Sequence, residues 1–515
     1  MITVSNISGS GRFEEEKVIS YSYTEDASPY QPENIDGGAG QVTINIVADD
    51  APKGTGIVIN NQIQVTDSDF GSVTFRARQV SIADSIANIT GETIQYRLNS
   101  QRKAEAKGGS GTTLLEAILY YCELVDVVPQ FEAGFVSELE TIEVNFPGWN
   151  GNVWEHLKML CAAVSLDDDD NTFMEMYIKD DELWFRRGAS ETIDFSEYIV
   201  NKSLTIDSYD AAQEVEVFNY NTYYGVDRVV REQETDINSN AINKNASISD
   251  SMQVQAGETV VKRFKINASL TSVRQPEAVS AILPLPFPDT DSTGQYVVVG
   301  SDDLPIDPIQ WVAEGGSLEV RLTENFDEIE VIITAPKSVQ MPTADGGPED
   351  VTLAPYKIGV ESSGGEEYPA IYIVGTGVFF EKTSLRLVTG ASEDYVADIS
   401  APTIDNPFIT TRKAQLDKGV AAAQAIAGPR VEMQGTIATG VSFGEDLGSI
   451  FQDYNGRMRL RTLSYSEGDV SFNANKFVTI ADFNAAWNGA TIANFNSESA
   501  GLSFDEFATI PLVRN

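Results

Sequence analysis

A single histidine, His156, restricts the chemistry that is open to this chain. Zinc sites built from two or three imidazoles, including those of zinc peptidases, are excluded by that count. A Ser-His-Asp or Cys-His arrangement would have to use His156. That residue lies beside the apolar stripe of a predicted helix, and Cys161 falls on a different face of the same helix. We therefore interpret His156 as a surface or boundary residue of the helix, and we expect no histidine-based catalysis.

The acidic residues suggest two other kinds of site, and neither is well supported. The 77 acidic residues offer many carboxylate pairs of the kind used in sugar hydrolysis, but the sequence does not single one out. The run 167–170 (DDDD) suggests a calcium loop, yet its sixth position is Thr172 instead of glycine and its twelfth is Ile178 instead of glutamate. We therefore interpret the run as an acidic loop, and we predict no metal.

A glycine-rich segment, GGSGTT at 108–113, precedes a predicted helix and could offer backbone N–H groups to an anion. It lacks the Lys-Ser/Thr ending of a phosphate-binding loop. A flexible linker that leads into a capped helix explains it more simply. We predict no cofactor and no catalytic residue, so the chain is not expected to be an enzyme.

The net charge of −42, from 35 basic and 77 acidic residues, limits the possible partners. Sequence-independent binding of DNA or RNA needs a basic surface, and so does binding to an anionic membrane. The charge is compatible with simple solubility, with a salt-adapted host, or with a wall past which nucleic acid slides. No apolar run approaches the roughly 18 residues of a membrane span, so no membrane anchor is expected.

One basic feature contrasts with this acidic background. Arg457, Arg459 and Arg461 alternate with Met458 and Leu460 directly after a predicted Asn-Gly turn. Side chains two residues apart lie on the same face of a strand, so the three arginines are predicted to share a face. Two hypotheses remain open: the arginines bind an acidic partner subunit, or they pair with carboxylates on the next strand.

The sequence ends in three copies of a 12-residue unit, which begin at Thr479, Thr491 and Ser503. Each unit begins like the capping box of a short helix and carries apolar residues at i and i+3. Two buried large side chains contribute about 3–6 kcal/mol, whereas ordering twelve residues costs roughly 12–24 kcal/mol. The strap, as we call residues 479–515, must therefore lie on its own body or on a neighbouring subunit. The predicted docking residues are Ile480, Phe483, Trp487, Ile492, Phe495, Phe504 and Phe507, together with Arg457, Arg459 and Arg461.

Strand patterns dominate the rest of the chain and predict a mainly β, multi-domain protein. Period-2 alternation of apolar residues occurs at 42–46, 73–77, 318–322 and 329–333. Three helices are predicted: one opens at Thr113 with Glu116 completing a capping box, one starts after Asn152, and one runs from about Thr411 to Ala427. Cys122 and Cys161 fall inside the first two helical patterns and are expected to be buried free thiols.

Several segments together resemble one protein family. They are GNVWEHLKMLCAAVSL, the following MEMYIKDDELWFRRG, VEVFNYNTYYG, NPFITTRKAQLDKGVAAAQAIAGP and KFVTIADFNAAWNG. They resemble the minor tail proteins of long-tailed phages (siphoviruses) of actinobacteria, mycobacteriophages among them, of the baseplate-hub type. The resemblance implies tail-tube-like β-barrel hub domains, a small inserted α/β domain and a C-terminal extension of short helical repeats.

The resemblance also implies a domain plan. Residues 1–103 with 204–231 would form the first hub β-barrel, 104–203 the inserted domain, 232–400 the second β domain or domains, 401–478 a helix and β-meander that complete the hub, and 479–515 the strap.

The function implied is that of a structural hub at the tail tip of the virion, which closes the tail tube for host attachment and DNA passage. The implied partners are two further copies in a homotrimer, the distal tail protein ring, the tape measure protein and other minor tail proteins. DNA would pass through the lumen without sequence-specific binding, and an acidic lumen would prevent adhesion. Two alternatives remain: a carbohydrate-binding adhesin or receptor-binding tail protein, which predicts surface aromatics clustered in a cleft, and a carboxylate-based glycosidase.

Overall fold

The structure, a computed structural model, describes most of the chain but not the strap. The described residues are 2–7, 12–13, 18–26, 41–47, 59–83, 85–109, 111–163, 166, 174–179, 182–188, 198–207, 214–231, 252–279, 294–301, 304–342, 348–351, 353–358, 371–388, 403–426, 430–438, 441, 449–453, 456–466 and 469–476.

Within these ranges the chain is mainly β, as predicted. The helices are α1 (Gln95–Leu98), α2 (Leu114–Glu123), α3 (Phe135–Leu139), α4 (Val153–Ala163), α5 (Pro308–Ala313) and α6 (Arg412–Ile426). The strands up to the second large sheet are β1 (Ile2–Asn6), β2 (Arg12–Phe13), β3 (Val18–Asp26), β4 (Gln41–Val47), β5 (Gln62–Asp67), β6 (Gly71–Ala83), β7 (Ile86–Glu92), β8 (Gln101–Ala104), β9 (Gln130–Phe131), β10 (Trp149–Asn152), β11 (Met174–Lys179), β12 (Glu182–Arg187) and β13 (Ile199–Asp207). The remaining strands are β14 (Glu214–Val230), β15 (Met252–Val254), β16 (Thr259–Lys265), β17 (Ala268–Arg274), β18 (Glu277–Val279), β19 (Gln295–Val299), β20 (Ser317–Leu322), β21 (Glu328–Thr334), β22 (Val339–Pro342), β23 (Pro348–Val351), β24 (Tyr356–Ile358), β25 (Ile371–Val388), β26 (Thr403–Ile404), β27 (Arg430–Ile437), β28 (Ile450–Asp453), β29 (Gly456–Ser466) and β30 (Asp469–Lys476).

The largest sheet has 12 strands and joins the two ends of the described chain. Its order is β13-β27-β30-β29-β3-β4-β7-β6-β5-β1-β2, with β28 paired to β29. Alternate residues of these strands are apolar and pack in one core, which is why the period-2 pattern appears in the sequence. Phe70 and Tyr465, from opposite ends of the chain, meet there with ring centroids 5.5 Å apart. Among the described strands this path has two ends and is not a closed barrel.

A second sheet, of eight strands, is built around two long strands. β14 and β25 pair in antiparallel fashion along most of their length, and β26, β17, β19, β24, β18 and β15 complete the sheet. The three-stranded sheet β16-β21-β20 and helix α5 share a core with it, centred on the fully buried Trp311. A Cβ at Gly316 would lie 2.3 Å from the Trp311 ring, so only glycine permits this close approach.

The segment between β7 and β13 folds as a small α/β module. In α2, Thr113 Oγ1 accepts a hydrogen bond from the Glu116 N–H at 3.3 Å, and the Glu116 carboxylate accepts one from the Thr113 N–H at 3.1 Å. In α4, Asn152 Oδ1 accepts from the Trp154 N–H at 2.9 Å. Both predicted helix starts are therefore confirmed. The sequence also predicts a Gly-rich linker near 101–111, but its first residues, Gln101–Ala104, form β8, which pairs with β10.

Helix α6 packs this module against the second sheet. The predicted helix is confirmed over Arg412–Ile426, and Thr411 Oγ1 accepts from the Ala414 N–H at 3.1 Å at its start. Gln415 Nε2 donates to the Val217 carbonyl of β14 at 2.8 Å. A Cβ at Gly419 would lie 2.3 Å from Leu387 of β25, so the small residues of this helix permit its close packing. The predicted stop at Gly428-Pro429 lies outside the described residues.

The strands within residues 199–230 belong to two different sheets. Residues 204–231 were predicted to complete the first barrel together. In the structure β13 lies at the end of the 12-stranded sheet, whereas β14 belongs to the eight-stranded sheet with β25. The alternating residues predicted for the core are buried, apart from Leu322, which is 40% exposed at the last position of β20.

Candidate interaction surfaces

Strand β29 carries the three arginines that the sequence singles out. Met458 and Leu460 point into the core of the 12-stranded sheet and are fully buried. Arg459 is only 4% exposed, and Arg457 and Arg461 are half-buried. The register with β30 shifts between Leu460 and Thr462. This irregularity interrupts the simple alternation on which the prediction of one shared face depended.

The partner of Arg459 comes from the α/β module. Its guanidinium forms an ion pair with Glu175 of β11, and Glu175 is itself only 3% exposed. The other carboxylate oxygen of Glu175 accepts a hydrogen bond from Arg186 Nε of β12 at 3.0 Å. The Arg186 guanidinium lies over the Tyr177 ring at 4.7 Å. This Arg459–Glu175–Arg186 cluster joins the module to the large sheet, because Arg459 belongs to β29 and the other two members belong to β11 and β12.

Glu175 and Arg186 were not predicted from the sequence. One signal was available: β11 is buried on both faces, so a glutamate within MEMYIK stands out among apolar neighbours. With 77 acidic residues in the chain, that signal does not identify a site. The docking role of the three arginines toward another subunit stays a prediction.

Hydroxyl and amide side chains cover the solvent face of the 12-stranded sheet. Asn45 Nδ2 donates to Ser20 Oγ at 2.9 Å, and Asn88 Nδ2 donates to Asn45 Oδ1 at 2.8 Å, so one row of bonds crosses β3, β4 and β7. Thr24 and Ser464 are linked at 3.1 Å between β3 and β29. These rows give the sheet a polar outer face whose hydrogen bonds are largely satisfied within the protein.

A shallow groove of about 440 Å³ continues this face across β13, β27, β30 and β29. It is lined mainly by hydroxyl and amide residues: Asn201, Ser203, Gln434, Thr436, Thr462, Ser464, Ser471 and Asn473. Phe472 also borders the groove, but its side chain is 3% exposed and belongs to the core. The groove therefore offers hydrogen-bonding groups without an exposed aromatic ring on which a sugar could stack.

Strand β13 forms an open edge of the large sheet. It pairs with β27 on one side, and no described strand pairs with its other side. Residues 200–206 are exposed, including Val200 at 65%. Its one lysine, Lys202, pairs with Asp453. Edge strand β16 differs, because its exposed Lys262, Arg263 and Lys265 provide the charges that usually prevent edge-to-edge pairing. β13 lacks such a set of exposed charges, so its edge is better suited to pairing with another strand.

The surroundings of His156 and of the two cysteines indicate structural roles for these residues. His156 Nδ1–H donates to the Asn152 carbonyl at 2.8 Å, and the imidazole stacks on Trp149 with ring centroids 3.6 Å apart. Burial lowers the pKa of His156, so the ring is neutral at pH 7. Cys122 and Cys161 are buried free thiols, as predicted, and burial raises the pKa of Cys122 to about 12. Thiols with raised pKa values are poor nucleophiles.

Lys418 of α6 is an unexpected buried charge. It is 4% exposed in the core cluster that contains Cys161. Burial lowers the pKa of Lys418 to about 7, and the neighbouring Asp417 and Cys161 act in the opposite direction. Its burial could have been predicted from the sequence, because Lys418 lies four residues from both Ala414 and Ala422 and so shares their buried face of the helix.

Replacing Lys418 with methionine is expected to stabilise the protein at pH 7, with an advantage that shrinks as the pH rises. An unfolded lysine keeps a pKa near 10.5, so between pH 7 and 10.5 the unfolded chain binds more protons than the folded protein. The free energy of unfolding of the natural protein then rises with pH, by about 1 kcal/mol per unit between pH 8 and 9. Urea unfolding at pH 7, 8 and 9 measures this. The control is Lys413→Met, at a half-exposed residue of α6, whose difference in unfolding free energy from the natural protein should not change with pH. A pH-independent difference for the Lys418 variant as well would contradict the prediction.

Several predicted features lie outside the described residues. They are the acidic run 167–170 and the strap residues Ile480, Phe483, Trp487, Ile492, Phe495, Phe504 and Phe507. In the described part of the chain, His, Cys, Asp and Glu side chains form no group of three or more that could hold a metal ion. None of the helices within the described ranges is both long and apolar enough to span a membrane.

No protein-family model and no curated protein matches the sequence. Among solved structures, the chain is similar to the prophage tail protein gp18 from Listeria monocytogenes, with 9% identity and a TM-score of 0.37, over 97% of this chain and 98% of that one. It is also similar to the 43 kDa tail protein of prophage MuSo2 from Shewanella oneidensis, with 8% identity and a TM-score of 0.39, over 92% of this chain and 98% of that one.

Proposed function

We propose that this protein is a structural hub at the tail tip of a long-tailed phage of actinobacteria. It closes the tail tube and organises other tail-tip proteins for host attachment and DNA passage, without making or breaking covalent bonds. The segment resemblance stated above supports the family. The observation that carries the assembly role is the open edge of β13, a nine-residue strand that pairs with β27 on one side and with no described strand on the other.

The hub works as a homotrimer around a channel. β13 and the paired strands β1 and β2 form the two ends of the same sheet. The β13 end of one copy can therefore contact the β1–β2 end of the next copy. Head-to-tail contacts between unlike surfaces generate closed rings when the rotation closes. The distal tail protein ring, the tape measure protein and other minor tail proteins are the further partners, and the strap is the second contact surface.

The Arg459–Glu175–Arg186 cluster supports this role by holding the α/β module in a fixed position on the large sheet. A hub must transmit force between neighbours without rearranging, and a buried, paired charge cluster resists local separation. The hydroxyl and amide face of the sheet supplies a polar surface. The rest of the channel wall is acidic in this proposal, so that DNA passes without adhering to it.

The alternative is a carbohydrate-binding adhesin. Hydroxyl and amide groups in the groove across β13, β27, β30 and β29 favour it, since such groups hydrogen-bond to sugars. The absence of an exposed aromatic among the residues that line this groove disfavours it. Binding of host cell-wall glycans by the purified monomer would support the adhesin.

The deciding experiment is a native mass measurement together with low-resolution electron microscopy of the purified protein. The hub predicts three copies around a central pore, with the β13 end of each copy at a subunit contact. A lone monomer that degrades or tightly binds cell-wall material would contradict the hub.

A further inference from the structure

The core side of the 12-stranded sheet ends in an uncovered apolar surface. Leu204 lies opposite Met433 in the pairing of β13 with β27, and Ile206 lies opposite Val431. Directly paired residues share a face of the sheet. Met433 is 1% exposed, but Leu204 is 37% exposed and Ile206 is 61% exposed. We call Leu204, Ile206 and the partly buried Val431 the apolar ledge.

The apolar ledge continues the core instead of forming a separate patch. Val431 packs against the core cluster that contains Met433. On this side of the sheet, the core covers β27 and reaches Ile199 at the start of β13, but Leu204 and Ile206 toward the other end of β13 stay exposed. Exposed aliphatic surface in line with a core is stabilised when another segment of polypeptide covers it.

The last described strand before the strap, β30, ends beside this ledge. Asn475 of β30 lies opposite Glu432, and Glu432 lies opposite Thr205, so these three residues form one row across the sheet. One residue further along these strands, Ile206 lies opposite Val431, and β30 ends at Lys476. Because neighbouring strands lie about 4.8 Å apart, the end of β30 is about 10 Å from Ile206.

The first repeat unit of the strap can reach that distance. Ile480 is four residues beyond Lys476, and four extended residues span up to about 14 Å. Ile480 and Phe483 stand at i and i+3, so one helical turn presents both on the same side. Two apolar side chains on one turn match the two exposed aliphatic side chains of the ledge in size and in number.

We propose that the first strap unit, residues 479–490, packs Ile480 and Phe483 on the apolar ledge of its own copy. The free edge of β13 stays open for a neighbour, and the two later units, from residue 491 onward, are the part of the strap that contacts another subunit. This inference rests on the strap described in the proposed function, but not on the role in the tail.

A cysteine pair in the full-length protein tests the contact. The variant with Ile206→Cys and Ile480→Cys should form an intramolecular disulfide under mild oxidation, seen as a shifted monomer band on a non-reducing gel. Cys122 and Cys161 are buried and do not compete. The control pairs Ile206→Cys with Ile492→Cys in the second unit, which should crosslink much less. Equal yields for the two pairs, or a crosslink between chains, would overturn the inference.

Hydrogen exchange gives a second measurement that needs no cysteine. Changing Ile480 and Phe483 to aspartate in the full chain should lower the protection of β13 amides at least about tenfold, which corresponds to about 1.4 kcal/mol. The same change at Ile492 and Phe495 is the matched control and should leave β13 protection unchanged. Unchanged protection of the β13 amides in both variants would contradict the inference. A protein that shows the contact but never enters tails would contradict the proposed function alone.

Discussion

Replacing Arg459 with methionine is expected to lower the free energy of unfolding by about 1.5–3 kcal/mol, the contribution of a hydrogen bond to a charged group. The change leaves the carboxylate of Glu175, which is 3% exposed, buried with Arg186 as its remaining partner in the cluster. Losing one partner of a buried ion pair is costly because the other charge has been removed from water and cannot recover its hydration. Urea unfolding followed by circular dichroism measures the loss.

An exposed pair provides the control for this prediction. Arg321 also binds a glutamate, Glu319, at 2.7 Å, but its side chain is 57% exposed. Exposed pairs contribute about 0–1 kcal/mol, since water solvates either partner when the other is removed. Arg321→Met should therefore change stability little. Similar losses in the Arg459 and Arg321 variants would show that burial of the cluster does not determine its contribution.

Deleting the strap, residues 479–515, is expected to abolish incorporation into phage tails while the body remains folded. The strap contributes no core of its own, because ordering one unit costs more than its two apolar residues return. Genetic complementation of a phage that lacks the protein, with the tail content read by immunoblot, measures incorporation. Far-UV circular dichroism of the purified variant reports on the fold.

A shorter deletion separates the two roles of the strap. A variant that lacks residues 491–515 keeps the first unit, so its melting temperature should match that of the full chain while incorporation is still lost. Normal incorporation of both deletion variants would refute the strap as an assembly element. Loss of the far-UV signal in either variant would show that the strap belongs to the folding unit.

The local signals in the sequence predicted much of the fold. The capping box at Thr113 and Glu116 and the cap at Asn152 fixed the helix starts, because each cap satisfies N–H groups within the same few residues. The alternation of apolar residues at 42–46 and 73–77 identified the buried faces of two strands, because it too is a local signal. A pattern of period 2 depends only on the strand itself and on which side the core lies.

The strand partners and the interaction surfaces were not predictable in this way. Whether 214–230 joins the first sheet or the second depends on β25, more than 140 residues further along the chain. That Arg459 meets Glu175 depends on how the α/β module packs on β29, and 77 acidic residues offered no means of choosing. The apolar ledge exists because the core does not extend over the second half of β13, although Leu204 and Ile206 by themselves look like ordinary core residues.

The sequence by itself determined the starts of α2, α4 and α6, the buried faces of the strands at 42–46 and 73–77, and the three repeated units that begin at residue 479. Only the tertiary structure decided which strand pairs with which, that Arg459 is buried on a glutamate of another module, and that β13 is left at an edge. The physical reason is one of range: caps and periodicity are satisfied between residues a few positions apart, whereas burial and pairing are set by residues that the chain brings together from hundreds of positions away.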